Sequence, residues 1–98
     1  MSMSEIIVKD ARLRILETLN EEPDRRSNSE RLREELSLRF AITRPREWVN
    51  QELRFLEQMS AVSIVQYGDV LIASLREKGL DHVEGRLAIE GVKRPSLA

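Results

Sequence analysis

Val62-Ser63-Ile64-Val65-Gln66, then Tyr67-Gly68-Asp69, then Val70-Leu71-Ile72-Ala73-Ser74 is the stretch that decides the fold. Both outer runs are rich in β-branched and apolar residues, and a short glycine-containing loop separates them. That combination predicts a β-hairpin. Upstream of Val62 the apolar residues follow a different period.

There, Val49, Leu53 and Leu56 recur at helical spacing, with Trp48, Phe55 and Met59 widening the stripe on one side. The spacing predicts a helix from about Arg44 to Met59. Thr43 is the expected N-cap, with Pro45 in the first turn, where its missing N–H costs little. The opposite face carries Arg46, Glu47, Asn50, Gln51, Arg54 and Glu57. An earlier helix is expected from about Ser27–Ser29 to Leu38–Phe40. Leu32 and Leu36 face inward, and Ser27 with Glu30 reads as a capping box. A first helix is expected over Ile7 to Asn20, with Val8, Ala11, Ile15 and Leu19 inward. Pro23 ends it, because the residue before a proline disfavours helix. Asp24 to Asn28 reads as a polar connection. Beyond the hairpin, Leu75 to Gly85 reads as a turn and a short helix with Leu80 and Val83 inward. Residues 91–98 read as an extended or flexible tail.

Three helices followed by a hairpin is the order of a winged helix-turn-helix. The expected fold class is therefore mostly α with a β-hairpin (α+β), as one domain over residues 1–90. In DNA-binding versions the second helix of the helix-turn-helix enters the major groove, and the hairpin is the wing. Arg44 and Arg46 at the start of that helix suit phosphates. Asn50 and Gln51 suit adenine, and Arg54 suits guanine. Positions 46, 50 and 54 repeat every four residues and so share one side of the helix. Tyr67 in the wing could donate one hydrogen bond to a phosphate. Arg76 and Lys78 could supply charge that the wing tip lacks.

Composition pulls the other way. The net charge is −1, although phosphate binding is driven by excess lysine and arginine. Of the 16 basic residues only Lys9, Lys78 and Lys93 are lysines, and arginine serves bidentate base contacts and surface salt bridges equally well. Glu47, Glu52 and Glu57 balance the arginines of the third helix. The alternative is thus a winged helix used as a protein-interaction module without DNA binding.

The remaining chemistry is sparse. With no cysteine there is no disulfide, thiolate metal site or cysteine nucleophile. His82 is the single histidine, with only Asp81 and Glu84 near it in sequence, so no metal is expected. The four glycines are isolated and build no phosphate loop. No enzyme activity and no cofactor are expected. No apolar run is long enough to span a membrane, and Met1 to Asp10 has no secretory h-region, so a cytoplasmic protein is expected.

Asp10-Ala11-Arg12-Leu13-Arg14-Ile15-Leu16 and then Leu19 to Asp24 resemble the first helix of small winged-helix proteins of Mu-like phages and prophages, described as ArsR-like transcriptional regulators. Thr43-Arg44-Pro45-Arg46-Glu47-Trp48-Val49 and Leu53-Arg54-Phe55-Leu56-Glu57 are similar to their third helix. Leu75-Arg76-Glu77-Lys78-Gly79-Leu80-Asp81, Glu84-Gly85-Arg86 and Gly91-Val92-Lys93-Arg94-Pro95 resemble their post-wing segment and tail. The resemblance implies a winged helix and a phage or prophage setting in a bacterial host cell; with the residues of the third helix, the expected function is transcription regulation through double-stranded DNA. It does not imply metal sensing, because the cysteines of metal-sensing relatives are missing. A domain this small binds DNA weakly alone, so a homodimer is expected.

Overall fold

The computed structural model describes residues 2–96. The chain is α+β: α1 (Met3–Glu21), β1 (Arg26–Asn28), α2 (Ser29–Phe40), α3 (Arg46–Gln58), β2 (Val62–Tyr67), β3 (Val70–Leu75) and α4 (Glu77–Val83). The strands form one antiparallel sheet in the order β1-β3-β2. Among the described residues no helix is long and apolar enough to cross a membrane.

The first helix starts at Met3 rather than Ile7, because the Ser2 hydroxyl accepts the Glu5 N–H and caps it. It is buried on more than the expected stripe. Leu13 and Thr18 join Ala11, Ile15, Leu16 and Leu19 inside. The reason is its place in the fold, since α1 is touched by α2, α3, α4, β1 and β3.

The expected polar connection contains a strand. Arg26, Ser27 and Asn28 pair with Ser74, Ala73 and Ile72. Ser27 therefore does not cap α2. Asn28 does so, its side chain accepting the Arg31 N–H at 2.8 Å. The buried Ser29 hydroxyl then accepts the Leu71 N–H at 3.1 Å and extends the β1 ladder by one rung.

At the other end of α2 the chain turns through Ala41, which is left-handed at φ 56°. The Ile42 N–H bonds Leu36 C=O and the Ala41 N–H bonds Ser37 C=O, as in a Schellman motif, while Ile42 is buried. A Cβ is unfavourable in that conformation. Ala41→Gly is expected to raise stability by about 0.5–1 kcal/mol in chemical denaturation. A lowered midpoint would show that the turn is held by something other than this backbone geometry. The α1–α2 packing is laced on its outside by Arg39, which donates two hydrogen bonds to Glu21 and holds that carboxyl below its ordinary range.

In α4 the buried positions are Gly79 and His82, one residue off the expected Leu80 and Val83, which are half-buried. After α4 the described residues form no helix or strand, yet Ile89 and Val92 are buried. The fully buried His82 ring holds this segment. Its Nδ1 accepts the Ile89 N–H and its Nε2–H donates to Lys93 C=O, both at 2.9 Å. The Lys93 N–H in turn bonds Lys9 C=O on α1. The expected tail is thus extended but anchored through Lys93; its last residues, Leu97 and Ala98, lie outside the described residues.

Arg12 is the second anchor. Its Nε donates to Glu52 Oε1 at 2.6 Å and its Nη1 to Gly91 C=O at 2.9 Å. Its guanidinium lies 3.6 Å from the centroid of Phe55. One side chain thereby joins α1, α3 and the closing segment.

Candidate nucleic-acid interface

The third helix begins at Arg46, two residues later than expected. Pro45 occupies the N-cap position, and no side chain caps the first turn. Thr43 is not the cap; its hydroxyl shares a hydrogen bond with Ser37 Oγ at 2.9 Å. Arg44 therefore belongs to the link before the helix. It donates to Thr43 C=O at 3.0 Å and lies 5.7 Å from the Trp48 ring centroid.

At 3.6 residues per turn, α3 buries Val49, Glu52, Leu53 and Leu56. The line diametrically opposite runs through Glu47, Gln51, Arg54 and Gln58. This crest is open: Glu47, Gln51 and Gln58 are exposed and Arg54 is about half-exposed. Arg46 and Asn50 lie off the crest, on the flank turned toward α2 and the hairpin.

That flank is engaged. Arg46 Nη1 is 3.8 Å from Glu30 Oε1 of α2, and its buried Nε has no hydrogen-bond partner among the described residues. The Glu30 carboxyl is held below its ordinary range, first by its hydrogen bond from Arg33 and last by the charge of Arg46. Asn50 Nδ2 donates to Asp69 C=O at the hairpin turn, at 2.9 Å. Arg54 donates to Glu57 at 2.9 Å and to Gln66 Oε1 at 2.7 Å. Gln66 passes the chain on to Gly68 C=O. Polar contacts therefore hold the hairpin tip against the middle of α3.

The expected site residues thus divide. Asn50 and Arg54 meet partners in the hairpin, whereas Arg46 faces Glu30 of α2. Gln51 stands free on the crest. Tyr67, 68% exposed, sits on the outer face of the hairpin tip. Arg76 is not part of this group. It follows the last of six ladder pairs from Tyr67–Val70 to Val62–Leu75, which places it roughly 20 Å from the tip.

The outer face of the sheet is unusual. Val65 pairs with Ile72 and Tyr67 with Val70. Their neighbours Leu71 and Ala73 point into the core, so these four apolar side chains share the solvent side. A solvated sheet face ordinarily carries polar residues.

Gln66 was missing from the expected set, and so was the part played by Glu52. Glu52 falls between Val49 and Leu56 on the buried stripe, and that register is the signal that marks it as a paired interior acid. Gln66 has no comparable signal, because its role depends on where the hairpin packs. Among the described residues no three His, Cys, Asp or Glu side chains gather as a metal site would require. Comparison with protein-family models, curated proteins and solved structures finds no match to this chain.

Proposed function

We propose that the chain is a winged helix-turn-helix that binds double-stranded DNA, with α3 entering the major groove and the β2–β3 hairpin as its wing. The observation that carries this reading is the uncovered crest of α3 beside the hairpin tip. The element order supports it, with α2 and α3 joined by the five residues 41–45. Gln51 and Arg54 are the base-reading residues, because they occupy the crest. Arg54 would exchange Glu57 and Gln66 for a guanine edge. Arg44 and Arg46 flank an uncapped helix start and would meet phosphates. Asn50 positions the wing rather than reading a base. The resemblance noted in the sequence adds a role in transcription regulation of a phage or prophage, in the cytoplasm of its host, with a homodimer as the binding unit.

The test is fluorescence anisotropy at low salt against a pool of random duplexes, followed by selection of preferred sites. Gln51→Ala and Arg54→Ala are each expected to weaken binding to a selected site by about 1–3 kcal/mol and to relax base preference at one position. Unchanged affinity in both variants would remove α3 from the interface.

A second reading, a protein-interaction module, is favoured by the apolar outer face of Val65, Tyr67, Val70 and Ile72, together with the acids Glu47 and Glu57 on α3. Contiguous exposed apolar surface marks interaction sites. That reading has no DNA affinity at any salt, and a partner that Ile72→Lys releases.

A further inference from the structure

Among the described residues, nine of the 16 basic residues lie within ion-pair distance of a carboxylate. The arginines of α3 are among them: Arg46 faces Glu30 and Arg54 faces Glu57. Arg25, Arg26, Arg76 and Lys78 are not: among the described residues none has a carboxylate at that distance, and all four are exposed.

The fold gathers these four at one place, the end of the sheet opposite the hairpin tip. Leu75 N–H bonds Arg25 C=O at 2.8 Å, Arg26 pairs with Ser74, and Arg76 N–H bonds Ala61 C=O at 3.0 Å. Arg25 and Arg76 line one open groove, and Arg76 and Lys78 line the next, beside Ser60. Most of the acids nearby are engaged. Glu22 is engaged by Arg31 and both Asp81 and Glu84 by Arg86, Asp24 turns its carboxylate to the Arg26 backbone N–H, and Glu77 has no cation at ion-pair distance among the described residues. Four cations against the two carboxylates Asp24 and Glu77 leave an excess of positive charge, and a polyanion complements that excess.

We infer that this end of the sheet is a second phosphate-contacting surface for duplex DNA, an inference that rests on the DNA reading of α3. Length supports it. The 13 residues of α3 span about 20 Å, whereas the major groove is about 12 Å wide. A helix laid across the groove overhangs both walls. Arg44 and Arg46 mark one end. The other end leads through Ser60 and Ala61 directly to Arg76. The two phosphate strands are then held from opposite ends of one helix, and the charge that the wing tip lacks is supplied at the wing's base.

The experiment is an amide-shift titration of the full chain with a 16-bp duplex of random sequence at low salt, alongside the variant Arg25→Gln/Arg76→Gln/Lys78→Gln. Shifts at residues 74–78 as well as along α3 are expected. The triple variant should bind about tenfold or more weakly, with its log K against log salt slope smaller by roughly 2–3. Shifts confined to α3 and the hairpin tip, with the variant binding as wild type does, overturn the inference and leave the α3 reading standing. Shifts confined to the sheet end overturn the α3 reading and, with it, the inference of a second surface beside α3. No shift anywhere, or binding to phosphatidylserine vesicles in place of the duplex, overturns both.

Discussion

Gly79→Ala is expected to destabilise the fold by about 3 kcal/mol or more, the reverse of what helix propensity predicts. In an exposed helix interior the same change stabilises by about 0.5–1 kcal/mol. Here a Cβ at position 79 would overlap the Ala61 carbonyl oxygen and come within 2.8 Å of Leu75 Cδ1. The Ala61 carbonyl is backbone, and it already accepts the Arg76 N–H. It cannot withdraw without moving the junction of α3, β2 and α4, so the overlap must be relieved by shifting α4 as a body. Urea unfolding of the two proteins measures the difference. A midpoint at or above that of wild type would mean that α4 rides loosely on the hairpin base.

The second large effect is expected at Arg12 and Glu52. Their side chains are only 16% and 10% exposed. Removing one partner strands the other in poor solvent, so Arg12→Met or Glu52→Leu alone should cost about 2–4 kcal/mol. The pair Arg12→Met/Glu52→Leu should cost clearly less than the two single changes together, because neither charge is then left alone. Gly91 C=O also loses its donor in any Arg12 variant, so the double variant stays somewhat below wild type. A double-mutant cycle by denaturation gives the coupling. Strict additivity would show that the contact contributes nothing to the fold beyond packing.

The helices and the hairpin were legible in the sequence for a local reason. Val49, Leu53 and Leu56, or Val62 to Ser74, carry their period within one segment. Strand β1 was not legible. It has three residues, Arg26-Ser27-Asn28, two of them polar turn formers, and its partner strand lies more than 40 residues downstream. Ser27 looked like a helix cap for the same reason: the ladder that claims it is non-local. The start of α3 was misplaced because Thr43 has the right chemistry for a cap, but its hydroxyl is taken by Ser37 across the turn.

The candidate site was legible by residue type and less so by direction. A four-residue repeat puts Arg46, Asn50 and Arg54 on one side of a helix, yet it cannot say whether that side is crest or flank. The hairpin decides, since Asp69 and Gln66 reach back to Asn50 and Arg54. Four-residue spacing also drifts around the axis, because each step turns 400° rather than a full circle. Over two steps the line passes from the flank at Arg46 to the crest at Arg54.

His82 joins two stretches of main chain that belong to no helix or strand. One imidazole serves as acceptor for Ile89 and donor to Lys93, so a single side chain seats both contacts and its loss would free both. Residues 89–93 are thus tethered to α4 through one ring. Their release would expose Ile89 and Val92 to water and strip the cover from α1 in the same motion. Cleavage beside Ile89 or Val92 would have to wait for that release, whereas the exposed stretch from Gly85 to Ala88 would not.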